Sequence, residues 1–76
     1  MKKTYVTVDC RISADGTERP LRVIWPDGRS WDVEKVLHKN LQYKNEFEGI
    51  RYTVIIGSAE KYIYRNDAGW YVICQN

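Results

Sequence analysis

Apolar and polar residues alternate with period two along much of this chain, the mark of strands with one buried face. From Thr4 to Ile12 the even positions are Val6, Val8, Cys10 and Ile12, and the odd ones are Tyr5, Thr7, Asp9 and Arg11. A second strand is expected from Arg19 to Trp25, with Leu21, Val23 and Trp25 on one face and Arg22 and Ile24 on the other. Pro20 has no N–H to give a ladder, so it suits a strand start or an edge. Trp25-Pro26-Asp27-Gly28-Arg29 is a tight-turn sequence, because proline presets φ and glycine accepts positive φ. A third strand begins at Arg29 or Ser30 with Trp31 and Val33 on one face. Its alternation breaks at Glu34-Lys35, because Val36 and Leu37 are both apolar. A β-bulge there would switch faces and bend the sheet. A helical turn from Asp32 to His38 is the competing reading, and the strand is preferred.

Lys39 to Gly49 is polar and lacks clean alternation, so it is expected to be a loop. Ile50 to Gly57 follows as a strand with Tyr52, Val54 and Ile56 inward. The segment Ala59 to Arg65 offers two faces. Placing Tyr62 and Tyr64 inward keeps Lys61 and Arg65 in solvent, and that assignment is expected, with Ile63 outward. Trp70, Val72 and Cys74 share one face of a final strand, with Tyr71 and Ile73 on the other. Gly, Asn and Asp clusters at Asp15-Gly16, Asp27-Gly28, Gly57-Ser58 and Asn66–Gly69 separate these runs.

The expected fold is all-β: one small domain over residues 1–76, a curled antiparallel meander of five to six strands. No long amphipathic helix is available to cover a flat sheet. The sheet must therefore curl into a barrel-like form or pack as two orthogonal halves.

Composition supports one small folded domain. The chain has 76 residues, 43% hydrophobic and 29% charged. Six Tyr and three Trp supply the burial that so short a chain needs. No apolar run is long enough for a transmembrane helix, and the first residues lack the apolar core of a signal peptide, so a cytoplasmic protein without a membrane partner is expected. In that reducing compartment Cys10 and Cys74 are read as small buried side chains. Pairing of the first and last strands would bring them close together.

Chemistry is sparse. His38 is the single histidine and has no local partner for acid–base work. The serines lie beside turns, and the glycines form no phosphate-binding loop. Two Cys and one His without close spacing make no zinc site. No catalytic, cofactor-binding or metal-ligating residue is assigned, no cofactor is expected, and the chain is read as a non-catalytic module.

Binding is the favoured reading, as protein interaction or self-association. Apolar residues at positions the alternation places outside, namely Ile24, Ile55, Ile63, Tyr71 and Ile73, would form a contact patch. The candidate interaction surface is Trp25, Arg29, Trp31, Tyr71 and Ile73. Trp25 and Trp31 flank the turn and can meet across the hairpin, while Arg29 is placed to stack on an indole or pair with Asp27. Weak single-stranded nucleic-acid binding is the alternative. Its candidate face is Lys3, Tyr5, Arg11, Arg22, Arg51, Lys61 and Arg65, with Tyr43 and Tyr71 nearby, cations for phosphates and rings for bases. The net charge of +2 is small, and acidic residues dilute any basic field.

The run from Pro20 through Trp25, Asp27-Gly28-Arg29, Trp31, Val33 and Val36-Leu37 resembles a family of short bacterial proteins of Gram-positive genomes, uncharacterised in function. Arg51–Val54, Tyr62–Tyr64 and Gly69–Val72 are also similar. The resemblance covers most of the chain from residue 19 onward. It implies a bacterial cytoplasmic protein and assigns no active site.

Overall fold

A computed structural model describes residues 2–42 and 49–74. These contain no helix and seven strands: β1 Lys2–Ile12, β2 Glu18–Ile24, β3 Ser30–Asp32, β4 Lys35–Gln42, β5 Gly49–Ile56, β6 Ala59–Asn66 and β7 Gly69–Cys74. The class is all-β and barrel-like, as the alternation requires. All pairings are antiparallel, in the order β3-β2-β1-β7-β6-β5-β4.

The expected third strand is two strands. Val33 N–H donates to Leu21 O on β2, and the next residue, Glu34, donates to Ile55 O on β5. Within two residues the chain leaves one partner strand for another, which curls the sheet into a half-barrel. The face switch falls just after this corner. Val36 lies opposite Val54 and His38 opposite Thr53, so Leu37 is the extra, bulged residue. The helical alternative for Asp32–His38 does not form.

Lys39 to Gln42 is strand and Gly49 begins β5, so the expected loop is shorter than its sequence suggests. The rest of that loop, with Tyr43, lies outside the described residues. β4 was hidden by its polarity. It is the last strand of the sheet order, and the Lys39 ammonium lies 5.7 Å from the Tyr52 ring centre where an interior strand would place an apolar side chain.

The core is Val23, Tyr52, Val54, Ile63 and Trp70, with Val6, Val8, Cys10, Val33, Val36, Ile50, Ile56 and Val72 packed against it. Several residues expected inward are not part of it: Trp25, Trp31 and Cys74 line a cleft instead, Tyr62 and Tyr64 take the other face of β6, and Leu21 and Ile12 are exposed. Leu21 is the bulged residue between Cys10↔Pro20 and Asp9↔Arg22, and Ile12, the last residue of β1, lies exposed opposite Glu18.

The assignment of β6 is reversed. Ile63 is 1% exposed and Tyr62 is 47% exposed. The register agrees: Ile63 lies opposite the buried Tyr52, so Lys61, Ile63 and Arg65 share the inner face. Both cations are accommodated there. Arg65 crosses the interior to an ion pair with Glu18 on β2, and its guanidinium lies 5.3 Å from the Trp70 ring centre. Lys61 sits at the other end of the half-barrel and stays exposed.

β1 does pair with the last strand, but the cysteines stay apart. Cys74 lies opposite Lys2, and the eight-residue offset from Lys2 to Cys10 is roughly 27 Å at about 3.4 Å per residue. Both thiols are free. Burial, then the nearby Glu18 carboxylate, pushes the Cys10 thiol above its ordinary value.

A candidate binding cleft at the open end of the half-barrel

The two ends of the half-barrel differ. One is closed by Arg65 and Glu18, which tie β6 to β2 across the interior. The other holds a cleft of about 670 Å³, within the usual range for ligand sites. Its cause is a split in the sheet. β6 and β7 leave their turn as a paired hairpin, but their ladder runs only from Asn66↔Gly69 to Tyr64↔Tyr71. Beyond that, Ala59–Ile63 pair with β5 alone, and Val72–Cys74 pair with β1 alone, among the described residues. In-facing Ile63 and Val72 and out-facing Tyr62 and Ile73 all border the cleft, as expected where a gap passes between two strands.

The opposite wall is built by the turn at Trp25–Arg29. Trp25 N–H donates to Arg29 O at 2.8 Å and Gly28 N–H to Trp25 O at 2.9 Å. Gly28 has φ +94°, the left-handed region that glycine accepts without strain. Asp27 fastens the turn from outside: its carboxylate takes the Arg29 backbone N–H at 3.0 Å and the Arg29 Nε–H at 2.7 Å. The backbone donor is the chief reason its carboxyl is held below the ordinary value. The turn sets Trp25 and Trp31 edge to face, with ring centres 5.9 Å apart and planes at 80°. The Arg29 guanidinium lies over the Trp31 ring, 5.4 Å from its centre.

The structure thus brings Trp25, Trp31 and Ile73 of the expected interaction surface to one cleft and sets Arg29 against its rim. Tyr71 stands apart and is 0% exposed. It lies on the outer face between Tyr64, stacked at 5.1 Å, and Tyr5 at 5.4 Å. The expected patch of outward apolar residues also contracts, because Ile63 is core. Sequence reasoning missed Lys61 as a cleft residue, since its position follows from the reversed face of β6. Lys61 is the one charged side chain lining the cleft, among the described residues.

The candidate nucleic-acid residues divide between two faces. Register places Lys3, Tyr5, Arg11, Arg22 and Arg51 outside and Lys61 and Arg65 inside. Several cations are engaged. Arg22 pairs with Asp32 at 3.1 Å, Arg65 with Glu18, and Arg51 and Lys3 lie over the rings of Tyr62 and Tyr71 at 4.5 and 4.9 Å. His38 is exposed on β4, opposite Thr53. No group of three or more His, Cys, Asp or Glu side chains is placed to hold a metal, among the described residues. No helix of the described residues is long and apolar enough to cross a membrane.

Compared with known proteins, the chain matches no family model, no curated sequence and no solved structure.

Proposed function

We propose that this chain is a non-catalytic binding module that engages a protein partner through the cleft between β6 and β7. The observation that carries this reading is the cleft itself: an apolar, two-tryptophan site at the open end of an otherwise packed half-barrel. Tryptophan supplies large, rigid contact area and dominates interface hot spots. Trp31 is 37% exposed, so part of its indole remains to be covered by a partner.

The test is comparative capture from a lysate of the source cells, with wild-type protein, Trp31→Ala, Lys61→Glu and an outer-face control, Arg11→Ala. A cleft partner is retained by wild type and Arg11→Ala and lost by the two cleft variants. Equal capture by all four rejects the cleft. Light scattering at micromolar concentration identifies self-association as a concentration-dependent dimer that Trp31→Ala abolishes.

Single-stranded nucleic-acid binding is the second reading, supported by the outer face. There Tyr5 and Tyr62 are exposed, and Arg51 lies against Tyr62. Titration of a labelled single strand at about 50 mM salt decides it, because phosphate contacts are strongest at low salt. Absence of binding there removes this reading.

A further inference from the structure

We infer that the cleft takes its partner as an added β-strand: an extended segment pairs with the free edge of β6 at Ala59–Ile63, with an acidic side chain facing Lys61. This inference rests on the cleft-binding reading and goes further, because it names the form and charge of what binds.

Three observations meet at the site. The first is backbone. In a strand, the N–H and C=O groups of alternate residues point to one side. Over Ala59–Ile63 one set is used by β5, while the other has no strand partner among the described residues and faces the gap where the β7 ladder has ended. Such an edge is a template for another strand. The second is the wall. A strand laid beside β6 has one face toward the barrel interior, where Val23, Trp25, Trp31 and Ile56 form the lining. Alternate side chains of the ligand would therefore be apolar. The third is charge. Lys61, on the inner face of β6, is exposed at the border of this apolar lining, without a carboxylate within ion-pair distance among the described residues. A neighbouring strand places a side chain directly opposite Lys61, and a carboxylate there is the favourable cross-strand partner.

The occupant is thus an extended partner segment of alternating apolar residues carrying an Asp or Glu. A compact domain surface would not reach the backbone edge inside the gap.

The experiment selects ligands from a library of random twelve-residue peptides displayed on phage, against the full chain. Selected peptides are synthesised and titrated while backbone amides are followed by NMR and hydrogen exchange. The expected peptides are rich in β-branched and aromatic residues, contain an acidic residue and lack internal proline. On binding, alternate amides between Ala59 and Ile63 become protected from exchange by at least tenfold. Lys61→Glu weakens binding at least tenfold, and selection against that variant yields peptides carrying Lys or Arg instead. Trp31→Ala, which leaves the β6 edge intact, weakens binding without changing the charge preference.

Binding that shifts the Trp25 and Trp31 indole signals but leaves the Ala59–Ile63 amides unprotected overturns strand addition while keeping the cleft. A library that yields no cleft binder overturns both. Protection of the β6 edge that rises with protein concentration in the absence of peptide assigns the gap to a second copy of the chain and overturns a separate partner.

Discussion

The guanidinium of Arg65 on β6 reaches the carboxylate of Glu18 on β2, two strands that are not neighbours in the sheet. The pair closes one end of the half-barrel and leaves the other end free to open. Both side chains are only partly exposed, and Arg65 also covers Trp70. Arg65→Ala should therefore lower stability by about 1–3 kcal/mol, between the ranges for exposed and buried pairs. Glu18→Gln keeps a hydrogen-bond acceptor and should cost less. Urea denaturation of both variants checks the order. An Arg65→Ala protein as stable as wild type would show that the bridge does not hold this end.

The reversed face of β6 gives a sharp contrast between neighbours. Ile63→Ala should cost about 2–4 kcal/mol, as large-to-small core changes do. Tyr62→Ala, on the exposed side, should cost below about 1 kcal/mol. The same denaturation series measures both, and the opposite order would restore the alternative face.

Gly49 stands where no side chain fits. A Cβ there would lie 2.2 Å from the backbone oxygen of Arg65, at φ +128°. Gly49→Ala should cost several kcal/mol or prevent folding, because backbone rather than a flexible side chain must move. Gly57 also has positive φ, at +58°, but open space around it. Gly57→Ala should fold and lose about 1 kcal/mol. Thermal unfolding distinguishes the two, and equal losses would refute the close approach.

Alkaline pH should loosen the core. Burial is the first cause that raises both the Cys10 thiol and the Tyr52 phenol above their ordinary values of 9.0 and 10.0. An acid raised on folding favours the neutral form in the native state. The unfolded chain therefore releases its proton first, and stability falls as pH rises through 9 and then 10. Melting temperature between pH 7 and 10.5 should decline accordingly. A Cys10→Ala, Tyr52→Phe variant should decline less steeply; an identical slope would place the alkaline sensitivity elsewhere.

Strands were legible wherever one face is purely apolar, as in the Val6-Val8-Cys10 row of β1 or the Tyr52-Val54-Ile56 row of β5. The turn at Trp25–Arg29 was legible as well, since Asp-Gly chemistry is local. β6 was not, because both its faces mix apolar and polar residues. Its face shows only in the register that sets Ile63 against Tyr52 and in the Glu18 carboxylate that receives Arg65, both distant in sequence and therefore invisible to a local pattern. β4 was obscured because an edge strand needs only a thin apolar face. The cleft was beyond the sequence for a related reason. Its Trp pair could be anticipated from the hairpin, but the parting of β6 from β7 depends on how β7 follows β1 across the whole sheet.

That position of β7 also governs how the molecule is assembled. β1 to β3 form one meander and β4 to β7 another, and among the described residues the only ladder between them joins β1 to β7. A ribosome makes β1 first and β7 last among the described strands. The N-terminal meander must therefore wait, with one side of β1 unsatisfied, until nearly all of the described chain has emerged. Contacts of such long sequence separation are slow to form. The half-barrel is therefore completed only when the last of the described strands is made, and until then β1 presents an unpaired edge.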